Sequence, residues 1–270
     1  MSGCHCQKPC ADCAQPLRVI SLGWGTQSFG LAAMSALGAL PPVYAAIHAD
    51  TGHERKATYE FSARWTPWLE AHGVRVVTVR PAAKSAPGVN AWGGVLLPAY
   101  TRGGEGQFGR QCTDDWKRAP IRRWLQANRA GRPVQLWIGI TLEEASRTKP
   151  ADVQYIEHAY PFLGLGVDAP GGKPWKRRFV TEWLQANGLE IPPRSACTFC
   201  PLQNRHDWLR VMREPSDLAE AVATDLLIRC QRPPDRLYVL KSATPLWKAD
   251  IAGQPELDLF GAECSGMCGV

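Results

Sequence analysis

Apolar positions in the first eighty residues form short β-rich runs separated by longer runs of helical spacing. Val19 to Leu22 is the first β-rich run, and residues 28 to 37 follow it as a small-residue helix. "VYAAIHAD", residues 43–50, reads as the next strand. A helix over 55–72 follows, anchored by Tyr59, Phe61, Trp65 and Trp68, and "VRVVTV", 74–79, reads as a third strand. This β-α-β-α-β order predicts an α/β fold with a parallel sheet flanked by helices. Residues 81–109 are rich in Gly, Pro and Ala and read as a long loop. A further helix starts near Pro120, a residue suited to a first turn, and buries Ile121, Trp124 and Leu125. "VQLWIGI", 134–140, is a fourth strand, followed by the polar loop "TLEEASRTKP". A helix over 176–187 stops at Gly188. The C-terminal third holds helices over 204–213 and 216–230, a strand-like "RLYVL" and a cysteine-bearing tail. The expected organisation is a cysteine-rich extension (1–16), an α/β domain (17–165) and a small, mainly helical C-terminal region (166–270).

A chain of 270 residues suits one large α/β domain with such an appendage, and 45% hydrophobic residues exclude global disorder. Residues 29–47 carry no charge, yet Gly38 and Pro41-Pro42 interrupt them, so no membrane span is expected. The N-terminal "MSGCHCQKPCADC" lacks an apolar signal core, which predicts a cytoplasmic protein. The net charge of +6 is uneven. Arg110, Lys117, Arg118, Arg122, Arg123, Arg129 and Arg132 face only Asp114 and Asp115 between residues 110 and 132. Two readings stay open for this block, a polyanionic partner such as nucleic acid and a solvated helix face.

The corner between the first strand and its helix, "SLGWGTQS", supplies Ser21, Gly23, Gly25, Thr26 and Ser28. Glycines admit a ligand close to the backbone, and a helix N-terminus directs free N–H groups and a positive dipole at it. The pattern is neither a Walker A loop nor G-x-G-x-x-G, but it suits a pyrophosphate. Asp50, with Thr51 to Glu54, stands at the end of the next strand, where α/β sheets place ligands. His48 lies inside that strand and reads as a core residue, His53 could reach a ligand, and His206 opens a helix.

Ten cysteines in a reducing compartment point to metal, cluster or thiol chemistry. Cys197-x-x-Cys200 with the distant Cys112 could hold zinc or an iron–sulfur cluster, or be packed as plain core thiols. Cys4, Cys6, Cys10 and Cys13 are numerous enough for a separate zinc site. Cys230 falls in an apolar helical run and reads as core. Cys264 and Cys268 in the tail are candidates for a fourth ligand and a reactive thiol, assigned in that order because one thiolate can cap a cluster and leave the other free.

"SLGWGTQS" resembles the phosphate loop of the PP-loop, or adenine nucleotide α-hydrolase, superfamily. "HADTGHE", "GRQCTDDWKRAPIRR", "WIGITLEEASRTKP" and "SACTFCPLQNRHDW" resemble its phosphoadenosine-phosphosulfate (PAPS) reductase-like branch, and "LDLFGAECSGMCGV" resembles the tail of related reductase-like proteins. The resemblance implies a Rossmann-like parallel sheet and a site for ATP with Mg²⁺, or for a sulfonucleotide. Ser21, Gly23, Gly25, Thr26 and Ser28 would hold phosphate, Asp50 would lie near the adenosine, and Glu144 and Arg147 would contact nucleotide or substrate. It also implies a [4Fe-4S] cluster on Cys112, Cys197 and Cys200, for which Cys264 or Cys268 in the tail could supply the fourth ligand. Departures are Gln27, where many ATP-cleaving relatives carry an acidic residue, and Thr141, where relatives often carry arginine. Gln111 precedes a lone Cys112, where cluster-binding relatives have a Cys-Cys pair, and the tail lacks the closing His of the nucleophilic Glu-Cys-Gly motif. The implied activity is an ATP pyrophosphatase that adenylates a substrate such as tRNA or DNA for sulfur insertion, served by a sulfur-donor or reductant protein. The alternatives are an adenylyl-sulfate (APS) or PAPS reductase acting through a tail cysteine, and a non-catalytic nucleotide-binding subunit of a modification complex.

Overall fold

The computed structural model describes residues 15–81, 88–89, 94–102, 106–231 and 236–252. The cysteines Cys4, Cys6, Cys10, Cys13, Cys264 and Cys268 lie outside the described residues, so the expectations placed on them rest on sequence. Five strands form one parallel sheet: β1 (Leu17–Ser21), β2 (Ala45–Ala49), β3 (Val76–Val79), β5 (Val134–Trp137) and β6 (Ile156–Ala159). Their order is β3-β2-β1-β5-β6. Val19 of β1 stands opposite Ala45 on one side and Leu136 on the other. Two further short strands, β4 (Tyr100–Thr101) and β7 (Leu237–Tyr238), pair antiparallel apart from this sheet.

The sheet is apolar on both faces, as parallel sheets must be when helices cover each side. Leu17, Val19, Ala45, Ile47, Val134 and Leu136 face one way, under Ile121 and Leu125 of α3 (Ala119–Asn128). Ile20, Ala46 and Trp137 face the other way. There they meet α1 (Thr26–Ala36), α2 (Lys56–Ala71) and α4 (Arg177–Ala186), which bury Phe29, Phe61 and Val180. A third cluster joins α5 (Arg205–Arg213), α6 (Pro215–Arg229) and β7 through Trp208, Val211, Ile228 and Leu237. Trp116 and Phe199 are buried in it, and Cys112 and Cys197 pack against it.

Three local expectations change. β6 was hidden in "IEHA", whose Glu and His break the apolar signature of an edge strand. The helix expected from Pro120 begins earlier, because a π-helical turn over Asp114–Arg118 runs straight into α3 and buries Trp116. Cys230 is exposed, not core. It is the C-cap of α6, and the helix turns its buried face through Ala221, Thr224, Asp225 and Ile228 instead. Among the described residues no helix is long and apolar enough to cross a membrane.

Candidate functional site

Strand order fixes where a crevice opens. β1 is flanked by β2 on one side and β5 on the other, so the chain leaves these neighbouring strands in opposite directions. Such a switch point leaves an opening beyond the carboxyl ends of the strands. A cleft of about 590 Å³ lies there. One wall is the loop after β1 with the start of α1, from Ser21 through Ser28. The floor is Ile138 to Ile140 after β5. The opposite wall comes from Glu144, Arg147, Arg177, Arg194, His206, Asp207 and Arg210.

The loop is shaped by its own residues. The indole of Trp24 is buried among Phe29, His48 and Phe61, and this anchor goes with a left-handed backbone at Trp24, φ 57°. The Ser28 hydroxyl accepts from the Gly23 N–H at 3.1 Å and donates to the Gly25 carbonyl at 3.2 Å, tying the loop into a ring. Gly25 is the N-cap of α1, with no side-chain cap and no acidic residue in the first turn. The uncompensated positive end of α1 therefore faces the cleft. Gly139 allows the floor to touch this loop. A Cβ there would stand 2.9 Å from the Gln27 carbonyl carbon and the Ser28 nitrogen. Gly139→Ala is expected to lower the unfolding free energy by about 1–3 kcal/mol in a urea titration, the cost of overpacking against backbone. An unchanged midpoint would show that the contact has slack.

Two buried carboxylates organise the opposite wall. Glu144 accepts from Gln27 Nε2 at 2.7 Å, pairs closely with Arg147 and lies 3.6 Å from Arg177. Asp207 lies 2.9 Å from Arg194, 3.6 Å from Arg210 and 3.4 Å from the buried Arg55. Each carboxylate thus holds at least two guanidinium groups in fixed places with positive charge left over. Planar, preorganised forks of this kind suit phosphate and sulfate oxygens.

Seven of the residues singled out by sequence come together here: Ser21, Gly23, Gly25, Thr26, Ser28, Glu144 and Arg147 all line the cleft. Asp50 does not line it. Its carboxylate accepts from the Gly52 N–H and the Tyr59 hydroxyl and pairs with Arg80 at 2.8 Å. Burial alone would raise the Asp50 pKa, but those bonds outweigh it and hold the group below its ordinary value. His48 is buried, with Nδ1 3.1 Å from the Leu22 carbonyl oxygen, and burial lowers its pKa. His53 turns away from the cleft to Glu220, 2.7 Å away, between the rings of Trp116 and Phe199. His206 is at the start of α5 and does line the cleft. Sequence reasoning missed Gly139, Arg177, Arg194, Asp207 and Arg210. Eight cations against three carboxylates between 173 and 213 were the available signal.

The cysteines occupy a second, smaller cavity. Cys112, Cys197 and Cys200 line it with Leu97, Trp116, Phe199 and the cations Arg110 and Lys117. Cys197 Sγ is 3.6 Å from Thr51 Oγ1. Burial pushes the Cys197 thiol well above its ordinary pKa. The carboxylate of Glu54 adds to this, and Lys117 opposes it. Among the described residues no three His, Cys, Asp or Glu side chains gather around a point that would hold one metal ion. Glu54 stands between the two cavities. It is 3% exposed, accepts from Ser195 Oγ at 3.0 Å and lies 3.4 Å from Lys117 Nζ. Ser195 lines the cleft, and Lys117 lines the cysteine cavity.

No family model and no curated protein matches this chain. Among solved structures it is similar to phosphoadenylyl-sulfate (PAPS) reductase from Candida auris, determined as a phosphate complex. The TM-score is 0.45 and the identity 14%, over 67% of this chain and 78% of that one.

Proposed function

We propose that the cleft binds an adenine nucleotide by its phosphates, and that the protein is an ATP pyrophosphatase adenylating an acceptor for sulfur insertion. The observation that supports this most is the meeting, at one switch point, of a glycine-rich loop, an uncapped helix N-terminus and two carboxylate-anchored arginine sets. That many fixed cations suit a polyphosphate better than a single anion. In this reading an acceptor oxygen attacks the α-phosphorus, the bond to the bridging oxygen breaks, and pyrophosphate leaves. A sulfur nucleophile then displaces AMP from the adenylated acceptor. The loop amides, with Arg147, Arg177, Arg194 and Arg210, hold the phosphates and stabilise charge on the leaving pyrophosphate. Glu144 and Asp207 are both committed to arginines, so Mg²⁺ would ride on the phosphates.

Cys112, Cys197 and Cys200 would hold a [4Fe-4S] cluster, with Cys264 proposed as the fourth ligand and Cys268 as the reactive thiol. The donor set fits the group. A buried thiol that resists ionisation alone is deprotonated outright by a metal, and Arg110 and Lys117 offset the net negative charge of a thiolate-bound cluster. The iron–sulfur cube also holds its ligands farther apart than a single ion does. When bound, the cluster would supply sulfur or electron-transfer chemistry.

The second reading, a sulfonucleotide reductase, is favoured by the paired charges of Glu144 and Asp207, since a phosphosulfate needs no protein-bound Mg²⁺. Products separate the two. Anaerobic incubation with ATP and an acceptor is expected to release pyrophosphate, and AMP once a sulfur donor is added. Sulfite from adenylyl sulfate, with no pyrophosphate from ATP, would overturn the proposal in favour of the reductase.

A further inference from the structure

Most cations of the basic stretch 110–132 are engaged within the molecule, while Arg123 is exposed. Lys117 is turned to the buried Glu54. Arg118 pairs with Asp114 and Asp152, and Arg122 with Asp152. Arg129 lies 4.6 Å over the Tyr155 ring, and Arg132 donates to the Gln15 carbonyl. A different set of cations is turned outward. Lys173, Lys176, Arg178 and Arg213 are exposed, and none of them has a carboxylate partner among the described residues. Arg178 lies 4.7 Å over the ring of Phe179.

Their position gives them meaning. Lys176 and Arg178 bracket Arg177, which lines the cleft from one side. Arg213 is one turn beyond Arg210 on α5, which lines the cleft and is itself 58% exposed. Cations thus continue outward from the cleft along two separate elements. The exposed carboxylates nearest in sequence to the first group are Glu182, one turn along α4 from Arg178, and Asp168. Glu214, next to Arg213, pairs with Lys56, and Glu143 accepts from the Arg177 N–H. A free nucleotide would be satisfied inside the cleft and would not reach such a rim. Unpaired like charges repel one another, and an extended polyanion relieves that repulsion while releasing its own counterions.

We infer that this rim, Lys173, Lys176 and Arg178 on one side and Arg213 on the other, is the docking surface for a nucleic-acid phosphate backbone, which places one nucleotide of the strand at the cleft. The inference rests on the reading of the cleft as the site of acceptor adenylation, and it names the acceptor class. It puts the backbone on α4 and α5, not on the 110–132 stretch.

The test is fluorescence anisotropy with labelled single-stranded RNA and DNA of about 20 nucleotides, long enough to span the rim. The variant is Lys173→Glu/Lys176→Glu/Arg178→Glu. Glutamates suit the first turn of α4, so the helix is not put at risk. Its affinity is expected to fall at least about tenfold, and its salt slope by about two, as three lost phosphate contacts on a single strand require. Its ATP affinity should stay within about twofold of wild type, because none of the three lines the cleft. Arg123→Glu/Arg129→Glu should bind both oligonucleotides as wild type does. Tighter binding of RNA or of DNA would identify the acceptor within the class. The inference is overturned if the 123/129 variant loses affinity and the rim variant does not. It is equally overturned if wild type binds ATP but neither oligonucleotide. A wild type that binds neither ATP nor oligonucleotide overturns the reading of the cleft as well.

Discussion

Anaerobically purified protein is expected to be brown, with broad absorbance near ~400 nm from thiolate-to-iron charge transfer, and Cys197→Ser is expected to lose nearly all of its iron. A thiol whose pKa is raised by burial and by a neighbouring carboxylate stays protonated at neutral pH. Such a thiol is a poor nucleophile and a poor redox centre, so the place of Cys197 beside Cys112 and Cys200 on one cavity needs another reason. Plain packing is one reason, and an apolar residue would serve it as well. Lys117 answers the buried Glu54, and both it and Arg110 line the cavity of the sulfurs, where they would also offset the charge of cluster-bound thiolates. Serine in place of Cys197 removes a soft ligand while keeping its size, so iron and sulfide should fall together. Cys230→Ser should keep both, since Cys230 is exposed at the end of α6. Cys264→Ser should lose iron and Cys268→Ser should keep it. Colourless wild-type protein with stoichiometric zinc would refute the cluster.

How much of this was legible in the sequence depended on how local each feature is. The glycine-rich corner after β1 was legible because all of it, from Ser21 to Ser28, lies in one stretch, and the strand and helix on either side of it are strongly patterned. The parallel sheet followed from alternating strands and helices, and the structure has it. β6 was not legible, because an edge strand of four residues with polar residues at its two central positions carries too little signal. The far wall of the cleft was not legible either. Arg177, Arg194 and Arg210 meet only because α4 packs on α1 and α5 packs on α6, and no local pattern announces that meeting. Asp50 shows the converse. A polar residue at a strand end looks like a ligand contact, but Tyr59 sits at a spacing that returns its hydroxyl to Asp50, and Arg80 closes the other side. The two readings of the basic stretch 110–132 stayed open because a linear count cannot see Asp152 and Glu54 reaching in from elsewhere.

Gly25→Val is expected to remain folded and to lose nucleotide binding. Gly25 has an extended backbone, φ −90° and ψ 170°, which any residue adopts, and a Cβ there would meet nothing within 4 Å. The open space around that Cβ is the cleft itself, since Gly25 lines it. A valine at this N-cap is expected to cost the helix end no more than about 1 kcal/mol. Two methyl groups beside the first turn of α1 would keep a phosphate from the loop amides and the helix N-terminus. Their loss should reduce affinity by about 100-fold, or ~2.7 kcal/mol. The direct measurement is calorimetric titration of ATP into wild type and Gly25→Val side by side, with circular dichroism confirming that both are folded. The account predicts saturable binding at one site in wild type, abolished when the cleft is first filled with inorganic pyrophosphate, and no measurable heat in the variant. A folded Gly25→Val protein that binds ATP with wild-type affinity would contradict it.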